Sequence, residues 1–179
     1  MVDSLKTLVI VTHPNIESSI INKRWLEELR KHPGEITVHE IHKAYPDENI
    51  DVSKEQKLIE EHGTIIFQFP IYWFNCPPFL KKWFDDVFVE GWAYGKGGDK
   101  LKNKKISFAV SAGLKSKDYS STGRYKYTLE ELLRPFKTIC TYTQANYQPF
   151  YAFYGAEHEP SSQEVDFSSQ EYIQFIKSL

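Results

Sequence analysis

Cysteine is scarce in this 179-residue chain. Its two cysteines, Cys76 and Cys140, are too far apart in sequence to match a metal-ligand spacing, and free thiols in a reducing cytosol are the simplest reading. Net charge is nearly absent too, at −2, which argues against a nucleic-acid-binding surface. No apolar run approaches the roughly 18 residues of a spanning helix, and the opening Met1-Val-Asp-Ser-Leu-Lys lacks the apolar core of a leader. A cytoplasmic location is expected. Two phosphate signatures are also missing: there is no Walker lysine motif, and no glycine fingerprint follows Thr12, so a module for NAD alone fits poorly. Repeats, low-complexity tracts and linkers are absent as well. A single domain over residues 1–179 is therefore expected, long enough to bury a core.

Aromatic residues, by contrast, make up 15% of a chain that is otherwise ordinarily globular, with 41% hydrophobic and 26% charged residues. That level suits an aromatic ligand site or an interface. Leu5 to Thr12 is a nearly continuous apolar and β-branched run, the pattern of a strand covered on both faces. His13-Pro14 ends it, and Ser18 or Ser19 is placed to cap a helix reaching about Lys31. Strands follow at Ile36 to Ile41, Thr64 to Phe69, Ile106 to Ser111 and Tyr147 to Tyr154. Helices are predicted from a cap at Ser53 to about His62, over Pro77 to Val89, over Thr128 to about Thr141 with a disturbance at Pro135, and over Ser168 to Leu179. Alternating strands and helices with apolar strands predict an α/β fold, a three-layer sandwich around a five-stranded parallel sheet.

Three loops leave strand ends that such a sheet brings to one edge. His13 to Asn22 offers a helix N-terminus, two hydroxyls, an imidazole and an amide, which together suit a phosphate. Pro70 to Phe74 offers main-chain groups and aromatic edges, which suit a neutral flat ring. The third loop offers Gly113, where a backbone can approach a ligand closely, and hydroxyls at Tyr119, Ser120, Ser121, Thr122 and Tyr125. Taken singly, each has a plain structural reading as helix caps, local core packing or a polar surface loop. Taken together, a flavin nucleotide explains all three.

These same residues resemble the flavodoxin-like NAD(P)H:quinone oxidoreductase family over nearly the whole chain. The resemblance rests on His13-Pro14 with Ser19 and Asn22-Lys-Arg24. It rests also on Phe69-Pro-Ile-Tyr-Trp-Phe74 leading into Pro78 to Phe88, and on Gly91-Trp-Ala-Tyr-Gly95. The chain is most similar to short bacterial members, which include general stress proteins and regulatory oxidoreductase subunits of potassium-efflux systems. The resemblance implies that His13, Ser18 and the segment Ser19, Ile20, Ile21 and Asn22 hold the flavin phosphate. It implies that Pro70, Ile71, Tyr72, Trp73 and Phe74 run along the isoalloxazine, and that Ser111, Ala112, Gly113 and Leu114 meet its far edge. Where the family has Thr-Thr-Gly-Gly, Leu114 here replaces the second glycine. Tyr119 matches a family tyrosine, and Tyr125 stands in for a histidine, so that both phenols accommodate charge on the reduced ring.

The resemblance further implies FMN, with FAD as an alternative, and NADH or NADPH as co-substrate. A hydride would pass to the flavin and on to a quinone in ping-pong fashion, with no metal, in a homodimer whose site is completed across the interface. Alternatives are an azo or nitroaromatic acceptor, a regulatory subunit on a potassium-efflux transporter, and a one-electron carrier.

Overall fold

The computed structural model describes residues 6–179; Leu5, expected to open the first strand, lies outside the described residues. The elements in chain order are β1 (Thr7–Val11), α1 (Ile20–Leu29), β2 (Ile36–Glu40), α2 (Ile41–Ala44), α3 (Val52–Glu60), β3 (Thr64–Pro70), α4 (Pro78–Val87), β4 (Lys105–Ala112), α5 (Leu129–Leu132), α6 (Arg134–Tyr142), β5 (Asn146–Tyr147), β6 (Tyr151–Tyr154) and α7 (Ser162–Ser178). The strands form one parallel sheet in the order β2-β1-β3-β4-β5, with β6 also on β4. The fold is the expected α/β sandwich.

Strand residues alternate between two cores. Leu8, Ile10, Ile65, Phe67 and Phe108 face Ile59, Phe79, Leu80, Trp83, Phe84 and Phe136 from α3, α4 and α6. Val9, Val11, Ile66 and Ala109 face Ile21, Trp25, Leu26, Val165 and Tyr172 from α1 and α7. Burial on both faces is why the central strands read as unbroken apolar runs.

Five details differ from the sequence reading. The fifth strand is split into β5 and β6, with Pro149 between them, because proline cannot donate to a ladder; Ser107 Oγ donates to its carbonyl at 2.6 Å. The cap of α3 is Asp51, whose carboxylate accepts from Lys54 N at 3.0 Å, and Ser53 lies inside the first turn. Helix α7 begins at Ser162, six positions earlier than Ser168, behind a reciprocal capping box of Ser161 and Glu164. Pro135 falls in the first turn of α6, and the chain breaks helix at Leu133 to place it there. The four-residue α2 has no counterpart in the expected elements. The apolar face of α4 is spent wholly inside its own chain, with Phe79, Leu80, Trp83, Phe84 and Val87 all buried.

Candidate active site

Loops following β1, β3, β4 and β6 all leave the carboxyl edge of the sheet. Strand order reverses between β1 and β3, which is where open α/β sheets bind ligands. Ile71, Tyr72, Trp73 and Phe74 form one wall of a cleft of about 360 Å³; Gly113, Leu114, Tyr119, Tyr125 and Glu157 form the other. The second and third predicted loops therefore meet. Glu157 is an addition from the loop after β6, a stretch to which the sequence reading assigns no element or site.

The first wall is a two-residue hairpin. Tyr72 N–H donates to Asn75 O at 2.8 Å and Asn75 N–H to Tyr72 O at 2.9 Å. Between them Trp73 and Phe74 have φ of +47° and +63°, the double left-handed pairing for which Asn-Gly is the favoured sequence. A bulky residue held there costs on the order of 1–3 kcal/mol. Trp73 is 93% exposed. The hairpin's own bonds leave the N–H groups of Trp73 and Phe74 unused, so both can meet a ligand. Pro70 is buried at the end of β3 and Ile71 N–H is tied to Ser111 O at 2.9 Å, which fixes where the hairpin starts.

The opposite wall is an aromatic cluster. Tyr119 packs on Tyr125 at 5.1 Å and on Tyr154 at 5.6 Å between ring centroids, and Tyr125 meets Phe74 edge-on at 4.8 Å. Burial pushes the Tyr119 hydroxyl above the ordinary phenol range, with Tyr125 and Glu157 adding to the push, so it stays a proton-bearing donor at neutral pH. Gly123 closes this loop because a Cβ there would lie 2.4 Å from Lys117 O. Leu114 lines the cleft while packing against the core behind it. Ser111 and Ala112 are buried, their side chains turned into the protein.

No residue of the first predicted loop lines the cleft. Ser18, Ser19 and Ile20 line a separate depression of about 400 Å³ shared with Arg24, Val165 and Asp166. Ser19 caps α1, its Oγ accepting Asn22 N–H at 3.1 Å, while Ser18 spends its proton on Asn15 O at 2.9 Å. The N–H groups of Ile20 and Ile21, in the first turn, have no partner inside the helix. The bordering cations are engaged: Lys23 with Glu17 at 2.7 Å, and Arg24 with Glu28 at 2.9 Å and Asp166 at 2.6 Å. An anion here is met by main-chain donors and the Ser19 hydroxyl. Burial, with His42 nearby, keeps His13 below the usual imidazole range, and its Nδ1 accepts from Asn15 N at 3.2 Å. Ile21 is buried, and only its main chain faces the loop.

Asn22 joins the two regions. Its Nδ2 donates to Ser111 Oγ at 2.9 Å, and Gln68 Nε2 donates to Asn22 O at 3.2 Å, all three residues being buried. The first turn of α1 is thereby tied to the ends of β3 and β4.

Residues 5–176 match the family Flavodoxin_2, described as a flavodoxin-like fold. The chain belongs to this family. A relative from Bacillus subtilis, named uncharacterized NAD(P)H oxidoreductase YrkL, is 44% identical over 174 residues, 97% of this chain and 99% of the relative. General stress protein 14 from Treponema denticola, solved in complex with FMN, is 45% identical with a TM-score of 0.93, covering 97% of this chain and 98% of that one. An NADPH-quinone reductase from P. pentosaceus is 27% identical with a TM-score of 0.82, covering 93% and 96%. In this flavodoxin-like frame the cleft and the α1 N-terminus lie on the one sheet edge that the fold reserves for loops.

Proposed function

We propose that this chain is an FMN-dependent NAD(P)H oxidoreductase that passes two electrons to a quinone. One observation carries the reading: an aromatic-walled cleft and the N-terminus of α1, with its free main-chain donors, lie on the same sheet edge, and Asn22 and Ser111 tie α1 to the end of β4. The residues fit FMN. Ile20 and Ile21 N–H and the Ser19 hydroxyl are donors for a phosphate, and the Trp73 and Phe74 N–H groups lie along the ring wall. Gly113, without a side chain, leaves room on its flank for the Glu157 carboxylate. The relative crystallised with FMN and the relative named as a quinone reductase support the cofactor and the acceptor.

The flavin, when bound, supplies the hydride chemistry. The chain's part is to orient, to shield and to donate hydrogen bonds. Tyr119 and Tyr125 present phenol protons to the side of the ring where negative charge builds. Trp73, exposed and aromatic, offers a surface on which nicotinamide and then quinone can stack in turn, as a ping-pong exchange would require.

The test is to purify the protein, release and identify any bound cofactor, and follow flavin absorbance. Bleaching by NADH or NADPH without a stable semiquinone, and recovery with a quinone, is the expected result. A protein that takes up no FMN, or is reoxidised by azo compounds and not by quinones, overturns the cofactor or the acceptor respectively.

A further inference from the structure

Glu157 stands where a ligand's polar edge would lie. Gly155, at φ +83°, turns the chain after β6. Three main-chain bonds then clamp the turn to the third loop: Gly155 N–H to Leu114 O at 2.7 Å, Ala156 N–H to Ala112 O at 3.0 Å and Glu157 N–H to Gly113 O at 3.0 Å. The clamp sets the carboxylate over Gly113, where a Cβ would lie 2.6 Å from Oε1 and 3.0 Å from Oε2. The space that the missing side chain of Gly113 opens is therefore occupied by a carboxylate.

Among the described residues Glu157 is the one formally charged group lining the cleft. Everything else polar there is a phenol or a main-chain group. The pyrimidine edge of a flavin alternates acceptor, donor and acceptor: C2=O, N3–H and C4=O. Phenols and main-chain N–H groups answer the two carbonyls, which leaves N3–H in need of an acceptor. We propose that Glu157 accepts the flavin N3–H and that its charge makes the oxidised ring the better-bound form. Reduction adds negative charge to the same edge, and a carboxylate fixed beside it opposes that charge. The inference rests on the FMN reading above.

Two variants test it on holoprotein. Glu157→Gln keeps the shape and an acceptor oxygen but removes the charge. Reduced FMN is expected to gain about tenfold in affinity relative to oxidised FMN, a rise of about 30 mV in the two-electron midpoint potential measured spectroelectrochemically. Glu157→Leu removes the acceptor, and the Kd for oxidised FMN, read by fluorescence titration, is expected to rise about tenfold, the scale of a charge-assisted bond. Glu157 is exposed, so neither change is expected to move the melting temperature of the FMN-free chain. An unchanged potential in the first variant, or an unchanged Kd in the second, overturns the role of Glu157 while the unaltered protein still binds FMN. If the unaltered protein binds no FMN, the cofactor reading falls and this one with it.

Discussion

Glu55 carries more of this molecule's polar architecture than any other single side chain. It is fully buried, yet it accepts from Tyr45 O–H at 2.7 Å, Trp83 Nε1 at 2.8 Å and His39 Nε2 at 3.0 Å. Burial alone pushes its carboxyl upward, and the three donors, His39 foremost, outweigh that and hold it below the ordinary range. A carboxyl whose folded pKa is depressed stabilises above its unfolded pKa and loses that contribution as pH falls through the folded value. Glu55→Ala is expected to cost about 3 kcal/mol in urea unfolding at neutral pH, the scale of a broken buried pair. The gap to the unaltered protein is expected to narrow once pH drops below the ordinary glutamate value of about 4.3. Cysteine behaves oppositely: burial pushes the Cys76 thiol up to about 11 and that of Cys140 to about 12. Both stay protonated at neutral pH, so alkylation of the folded protein, followed by mass, is expected to be negligible at pH 7 and to start with Cys76 as pH approaches its value. Fast Cys76 labelling at neutral pH would contradict its packed position.

At the scale of elements, the Trp73-Phe74 turn opposes stability to function. Replacing it by Asn-Gly supplies residues that accept positive φ, and the FMN-free protein is expected to gain about 1–2 kcal/mol in chemical unfolding while FMN affinity falls. A second element-level tie is the Asn22–Ser111 bond. Ser111→Ala is expected to cost about 1 kcal/mol of stability and to weaken FMN at the phosphate end, through the lost bond to Asn22. The sequence made the central strands legible because each is buried on both faces and reads as an apolar run. What it hid is short or externally determined. Four-residue α2 carries no periodicity, and the split of β5 from β6 depends on a proline whose strand could only be recognised once paired. The early start of α7 had a readable signal in the Ser161 and Glu164 spacing, masked by the serines at 168 and 169, which bond back onto their own helix and onto Trp25. Glu157 was invisible because its position comes from pairing with residues 112–114, distant in sequence.

At the scale of the whole molecule, the convergence of the loops was readable from topology, since parallel strands joined by right-handed crossovers place them on one edge. Their finer division into an aromatic-walled cleft and a separate depression at the start of α1 was not, because it depends on which side of the sheet each loop packs. A homodimer is expected under the proposed function. With the apolar face of α4 already buried in its own chain, its contact is expected to use surfaces such as the groove of Phe88, Tyr94 and Tyr142, and sedimentation at micromolar concentration is expected to give twice the chain mass. The two cores have a last consequence. Ile21 belongs to the α1–α7 side, whereas Ile71, Leu114, Tyr119 and Tyr125 pack with the α3–α6 side. FMN held as proposed would straddle the sheet and staple its two layers together. Amide exchange should show it: without FMN, α1 and α4 lose protection at different denaturant concentrations, and with saturating FMN their exchange converges on a single opening event.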